Sequence, residues 1–162
     1  DTAPALVALE AEMMVSRNGK TRSVSAEKFF IGPAIDITRM TVLEKDDILT
    51  EIRIPKKWAG AKQYFEKVAD RETWDFALVN LAMVAKTSGG KVTDVRMTCG
   101  GVQCTPRRLT SVESLMKGEK IGTEMETLAN RVAAQGAKAL NYNHFKIPLM
   151  GSLAARAVRS LA

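Results

Sequence analysis

FALVNLAMVA, residues 76–85, is the most continuous apolar run in the chain, and its reading decides the fold. Ten residues of this kind suit either a buried helix or a central strand. The flanks favour the strand. Ser88-Gly89-Gly90 follows as a turn, and beyond it Val95, Met97 and Cys99 alternate with Arg96 and Thr98 at the period of two that a pleated strand imposes. Phe76–Ala85 is therefore expected to be a buried central strand in a hairpin. Gly100-Gly101 at the far end of the second arm signals a bulge or a close backbone approach.

Upstream lies YFEKVADRETWD, residues 64–75. Gln63–Val68 reads as a strand, and five charges fall within the nine residues from Lys67 to Asp75: Lys67, Asp70, Arg71, Glu72 and Asp75. By local pattern this is a solvated turn laced with salt bridges, and acid–base chemistry is a distant second use.

Beyond Pro106 the apolar period changes from two to about 3.6. Thr110-Ser111-Val112-Glu113 and Thr123-Glu124-Met125-Glu126 have the capping-box pattern, and Gly118 is placed as a helix stop. Met125, Leu128, Ala129, Val132 and Ala133 share one helical face. Leu149, Met150, Leu153, Ala154, Ala157, Val158 and Leu161 line a third helix, with Pro148 in its first turn. Strands followed by three helices indicate an α+β fold, an antiparallel sheet with helices on one face.

The first third is more fragmentary. PALVALEAEMMV suggests a helical turn and then a strand over Glu12–Arg17. Asn18-Gly19 is a strong hairpin signal, with Thr21–Phe30 as the returning strand and Val24 buried. LTEIRIP, residues 49–55, alternates as a half-buried strand with Ile52 and Ile54 on one face. A boundary near residues 55–60 divides a small β piece from a domain of about one hundred residues, an ordinary domain size.

Bulk properties exclude more than they assign. The chain has 162 residues, 46% hydrophobic and 26% charged, and a formal charge of +6. The cations are dispersed among acids, so nucleic-acid binding gains little from charge. No apolar run is long enough for a bilayer-spanning helix, no signal peptide is visible, and the one His and two Cys suggest neither a zinc site nor a disulfide framework. These features lead to the expectation of a cytoplasmic protein. Cys99 and Cys104 read as buried small apolar residues, and Trp58 and Trp74 as partly buried. No catalytic constellation and no metal site emerges, which leaves a cofactor as the bearer of any chemistry.

Several segments, in order along the chain, resemble the FAD-binding subunit of molybdenum hydroxylases, the family of xanthine dehydrogenase and the carbon monoxide dehydrogenase flavoprotein. They are D-x-A-P at 1–4, FFIGP at 29–33, ILTEIRIP at 48–55, YFEKVADRETWDFALV at 64–79, GGVQCTPRR at 100–108, and FKIPL with ARAV in 145–158. The resemblance implies that residues 1–57 are the tail of an FAD-binding domain. Residues 58–162 would be a C-terminal domain with a three-stranded antiparallel sheet and a three-helix bundle. It also implies FAD contacts at Asp1, Leu49, Lys67, Arg71 and Asp75, with Lys67 reaching the cofactor from the C-terminal domain.

By the same resemblance, electrons pass from iron–sulfur clusters through FAD to NAD or another acceptor. Molybdopterin and the clusters would reside on a large and a small partner subunit. The family's Gly-rich phosphate-binding segments have no counterpart here, so the expectation is that an N-terminal segment holds the pyrophosphate, either supplied by another chain or missing because this sequence is a fragment. Residues 34–43 are longer than the family's connector, and Thr2 stands in place of an apolar residue. The alternative from another class is a non-catalytic α+β docking domain that has lost flavin.

Overall fold

The computed structural model describes residues 1–162. The order is α1 (Thr2–Ala8), β1 (Glu12–Arg17), β2 (Lys20–Ser25), α2 (Ala26–Phe29), β3 (Ile48–Arg53), a 3-10 turn (Lys56–Trp58), β4 (Lys62–Val68), β5 (Val79–Ser88), β6 (Lys91–Gly100), β7 (Arg107–Arg108), α3 (Thr110–Met116), α4 (Thr123–Ala133) and α5 (Lys146–Arg159). Both sheets are antiparallel, ordered β2-β1-β3 and β4-β5-β6-β7. The α+β class is as expected. The larger sheet has a fourth, two-residue strand that the family resemblance does not predict.

From Val79 to Ala85 β5 is apolar apart from Asn80, because this stretch is covered on both faces. Val79, Leu81, Met83 and Ala85 join Val95, Met97 and Cys99 of β6 in the main core, against α3, α4 and α5. On the opposite face Ala82 and Val84 pack with Ala8 of α1 and Trp58. A strand serving two cores cannot show the alternation of a half-solvated one. A third cluster, with Val7, Met13, Val15 and Phe29, consolidates the small sheet.

Several expectations need correction. The central strand begins at Val79 rather than Phe76, and Phe76 is 91% exposed. An apolar run does not reveal where the chain leaves the sheet. The return from Asn18-Gly19 ends at Ser25, after which Ala26–Phe29 turns helical and buries Ala26 and Phe29; Val24 is only half-buried. Ile52 and Ile54 alternate as expected but are 43% and 54% exposed, so β3 meets the core chiefly through Leu49.

Neither capping box forms. Residues 109 and 122 take the N-cap positions without side-chain caps. Glu113 is buried and accepts the Met97 N–H at 2.9 Å and the Arg108 guanidinium, while Glu126 pairs with Arg159 at 2.7 Å. Tertiary partners outcompete the local cap in both cases. Gly118 does stop α3, at φ +84°.

Charged groups fasten α1 and the small sheet to the larger one. Glu10, Glu27 and the Val7 carbonyl all meet the Arg96 guanidinium, at 3.5, 3.0 and 2.9 Å. Glu10 also accepts from Lys57 and from the Trp58 indole N–H, each at 2.8 Å. Burial opposes ionisation of Glu10, but these cations and donors outweigh it and hold the carboxyl below its ordinary value.

A candidate flavin-facing cleft

The site forms where α1 begins over the larger sheet. Lys67 of β4 pairs with Asn80 of β5, and Asn80 pairs with Gly100 of β6, making one cross-strand row. Strand alternation puts this row on the face that carries α1, opposite the helix bundle. Asp1 occupies the N-cap position of α1 but makes no side-chain cap. Its carboxylate is engaged by the row instead. Oδ2 accepts from Lys67 Nζ at 2.6 Å, and Oδ1 lies 3.5 Å from Asn80 Nδ2.

Lys67 makes a second bond, donating to the Asp75 carbonyl at 2.6 Å. The Asp75 carboxylate in turn accepts the backbone N–H groups of Asp70, Arg71 and Phe76, each at 2.9 Å. Arg71 donates to the Trp74 carbonyl at 2.6 Å and lies 3.9 Å from the Asp75 carboxylate. The charged loop is therefore a closed structure anchored to the sheet through Lys67. It holds Trp74 at φ +56°, a backbone conformation that is costly for an aromatic residue, with the side chain 93% exposed.

Four of the five residues expected to contact FAD, Asp1, Lys67, Arg71 and Asp75, are thus brought together. Leu49 is not in this constellation. It lies in β3, opposite Val15, packed on the core of the small sheet. Trp58 is fully buried rather than partly so, and Trp74 is fully exposed. Cys99 is buried, which pushes its thiol up to about 12, whereas Cys104 is exposed, contrary to expectation. His144 is exposed in the loop before α5.

Beside Asp1 opens a cleft of about 390 Å³, lined by Phe30, Met40, Phe76, Asn80, Gly100 and Cys104 among others. This is within the range of small-molecule sites. Two observations bear on whether its residues fit a flat, polar-edged group such as a flavin ring. Asn80 is 97% buried by its 3% exposure, yet its Oδ1 has no hydrogen-bond partner. Gly100 and Gly101 leave no room for a side chain. A Cβ at Gly100 would lie 2.3 Å from Asn80 Oδ1 and 2.8 Å from Pro4, and one at Gly101 would lie 2.9 Å from the Leu78 carbonyl. With a lysine cation at the edge, these features fit such a group. Asn80 was missed in the sequence, although an amide inside an otherwise apolar ten-residue run is a visible irregularity.

Two family models match successive parts of the chain. Residues 63–161 match the CO dehydrogenase flavoprotein C-terminal domain, and residues 1–57 match the FAD binding domain in molybdopterin dehydrogenase. The chain is 32% identical over 131 residues to the glyceraldehyde dehydrogenase medium chain of Sulfolobus acidocaldarius, covering 80% of this chain and 44% of the relative. It is 33% identical over 138 residues to the carbon monoxide dehydrogenase medium chain of Hydrogenophaga pseudoflava, covering 85% and 45%. A solved structure of the Hydrogenophaga pseudoflava carbon monoxide dehydrogenase, in a form lacking the Mo-pyranopterin moiety of its cofactor, superposes with a TM-score of 0.85. That match has 28% identity and covers 99% of this chain and 55% of that one. The chain thus spans about half the length of the relatives it matches. It belongs to the family of FAD-binding medium chains of molybdenum hydroxylases, and its residues correspond to their C-terminal part.

Proposed function

We propose that this chain walls the flavin pocket in the FAD-binding subunit of a multi-subunit molybdopterin-dependent hydroxylase or dehydrogenase. Residues 1–57 serve as the tail of an FAD-binding domain and residues 58–162 as the C-terminal domain beside the flavin. FAD, when bound, carries electrons from iron–sulfur clusters to NAD or another acceptor. Molybdopterin and the clusters reside on the large and small partner subunits, in the cytoplasm. A segment outside this chain holds the pyrophosphate.

Within that frame the chain's residues have separable tasks. Lys67 sets a positive charge at the ring edge, where it favours negative charge on the reduced ring. Asp1 fixes the ammonium from the side of α1, and Leu49 adds an apolar contact from β3. Asp75 and Arg71 keep the loop closed, and the loop governs acceptor access.

The observation that carries this reading is the position of Lys67, bonded at once to Asp1 and to the Asp75 carbonyl. The test is the flavin content of the purified native assembly, with and without Lys67→Ala. Flavin bound in near-stoichiometric amount and weakened by the substitution is the expected result. An assembly with no flavin absorbance would leave the chain as a docking domain.

A further inference from the structure

α1 carries Asp1, yet it has only seven residues and no side-chain cap. A helix this short does not persist alone, so its neighbours set its place. Val7 belongs to the core of the small sheet with Met13, Val15 and Phe29, which joins α1 to that sheet as one body. Against the larger sheet α1 presents Ala5 and Ala8, small side chains with little area to bury. Polar clamps at the two ends of α1 complete the attachment. Lys67 of β4 holds Asp1, and Arg96 of β6 donates to the Val7 carbonyl at 2.9 Å.

We propose that Arg96 is a positioning residue for the flavin site. It fixes the far end of α1, and with it the small sheet, at the place from which Asp1 reaches Lys67. This rests on the flavin reading and adds to it a residue that lines no part of the cleft. The strand register shows how the clamps share the load. Arg96 lies on the same face as Gly100 and four residues before it, and Gly100 stands two strands from Lys67. The two cationic residues are therefore roughly 16 Å apart across the sheet. From Asp1 to Val7 the helix covers about 9 Å, and the long Lys and Arg stems span the rest. α1 is a strut held diagonally over β5.

The two clamps are unequal. Lys67 and Asp1 form a partly exposed ion pair, which contributes little by itself. The Arg96 side chain is only 11% exposed and also meets Glu27 at 3.0 Å and Glu10 at 3.5 Å. Charge-assisted bonds from a planar guanidinium are the stronger and more directional kind. The buried clamp therefore sets the position of α1, and the Asp1–Lys67 pair follows it. Arg96→Met removes this clamp without stranding an acid. Glu10 keeps Lys57 and the Trp58 indole, and Glu27 keeps Arg108.

The test is a double-mutant cycle in the native assembly stripped of its nucleotide, with FAD affinity read by titration of flavin absorbance and fluorescence. Arg96→Met should weaken FAD about 10-fold, as loss of one charge-assisted bond implies. In an Asp1→Asn background the same substitution should cost less than about 2-fold, because the contact it acts through is already gone. Leu153→Ala, in the main core on the opposite face of the sheet, should lower stability yet leave FAD affinity within about 2-fold. No effect of Arg96→Met, equal factors in the two backgrounds, or a matching loss in Leu153→Ala would overturn the role of Arg96 while leaving the flavin reading intact. Failure of the unsubstituted assembly to bind FAD would overturn the flavin reading, and this inference with it. Should Arg96→Met not fold, Arg96→Lys carries the same cycle. Its single ammonium cannot serve three acceptors as the planar fork does, so the same dependence on Asp1 is expected at a smaller factor.

Discussion

Gly100→Ala is the sharpest structural perturbation of the cleft. The added methyl would sit 2.3 Å from Asn80 Oδ1 and 2.8 Å from Pro4 Cγ. Neither neighbour yields easily. Asn80 is held in the central strand and covered by α1, and Pro4 is a buried ring in the first turn of that helix. Relief requires Asn80 to leave its rotamer or α1 to lift from the sheet. Overpacking of this kind costs about 2 kcal/mol. For a chain of this size that corresponds to a fall in melting temperature of roughly 4–8 °C.

Calorimetry of the substituted protein against the parent measures it directly. Because α1 carries Asp1, the same displacement also disturbs the Asp1–Lys67 pair, so flavin affinity should fall together with stability. A melting temperature within a degree of the parent's, with unchanged flavin binding, would refute the claim that Gly100 is held to its small size by Asn80 and Pro4.

Other predictions concern the charged groups and thiols. Glu113→Ala leaves Arg108 and the Met97 N–H without their buried carboxylate and should destabilise by about 3 kcal/mol in denaturant unfolding. Glu10 and Asp94 should weaken the fold in acid. Burial raises both carboxyls, but Lys57, Arg96 and Trp58 around Glu10, and Lys117 and Lys57 around Asp94, lower them further, so both end below their ordinary values. A depressed carboxyl stabilises the fold above its unfolded value and loses that contribution as pH falls through its folded one. Melting temperature should therefore decline below about pH 4.5, the ordinary value for Glu10, and Glu10→Gln should flatten the decline. A thiol reagent should modify Cys104 in the folded protein and reach Cys99 only on unfolding, as peptide mapping would show.

Much of the architecture was legible because the relevant signals are local. Gly89-Gly90 turned β5 into β6, Asn18-Gly19 turned β1 into β2, and the apolar stripe from Leu149 to Leu161 gave α5. The failures share a cause. Glu113 and Glu126 look like capping residues until Arg108 and Arg159 are placed beside them by the fold. Ile52 and Ile54 alternate correctly, but alternation does not say whether a face is covered. Phe76–Leu78 continues the apolar run past the point where the sheet begins. Of the site, the charged loop around Lys67 was visible as an anomaly of composition. Its junction with Asp1, 66 residues distant in the chain, became assignable only through the family resemblance. Asn80 needed the register of three strands to acquire meaning.

The flavin-contact claim is tested most directly by comparing Lys67→Ala with Arg107→Ala in the native assembly. Arg107 lies in β7 and makes no ion pair with the Asp1–Lys67 row. Flavin affinity should fall about 10-fold or more for Lys67→Ala, with a changed flavin absorbance spectrum, since a charge-assisted bond at the ring edge is lost. Arg107→Ala should leave both unchanged. Equal and negligible effects of the two substitutions would return the loop to a solvated turn and contradict the account.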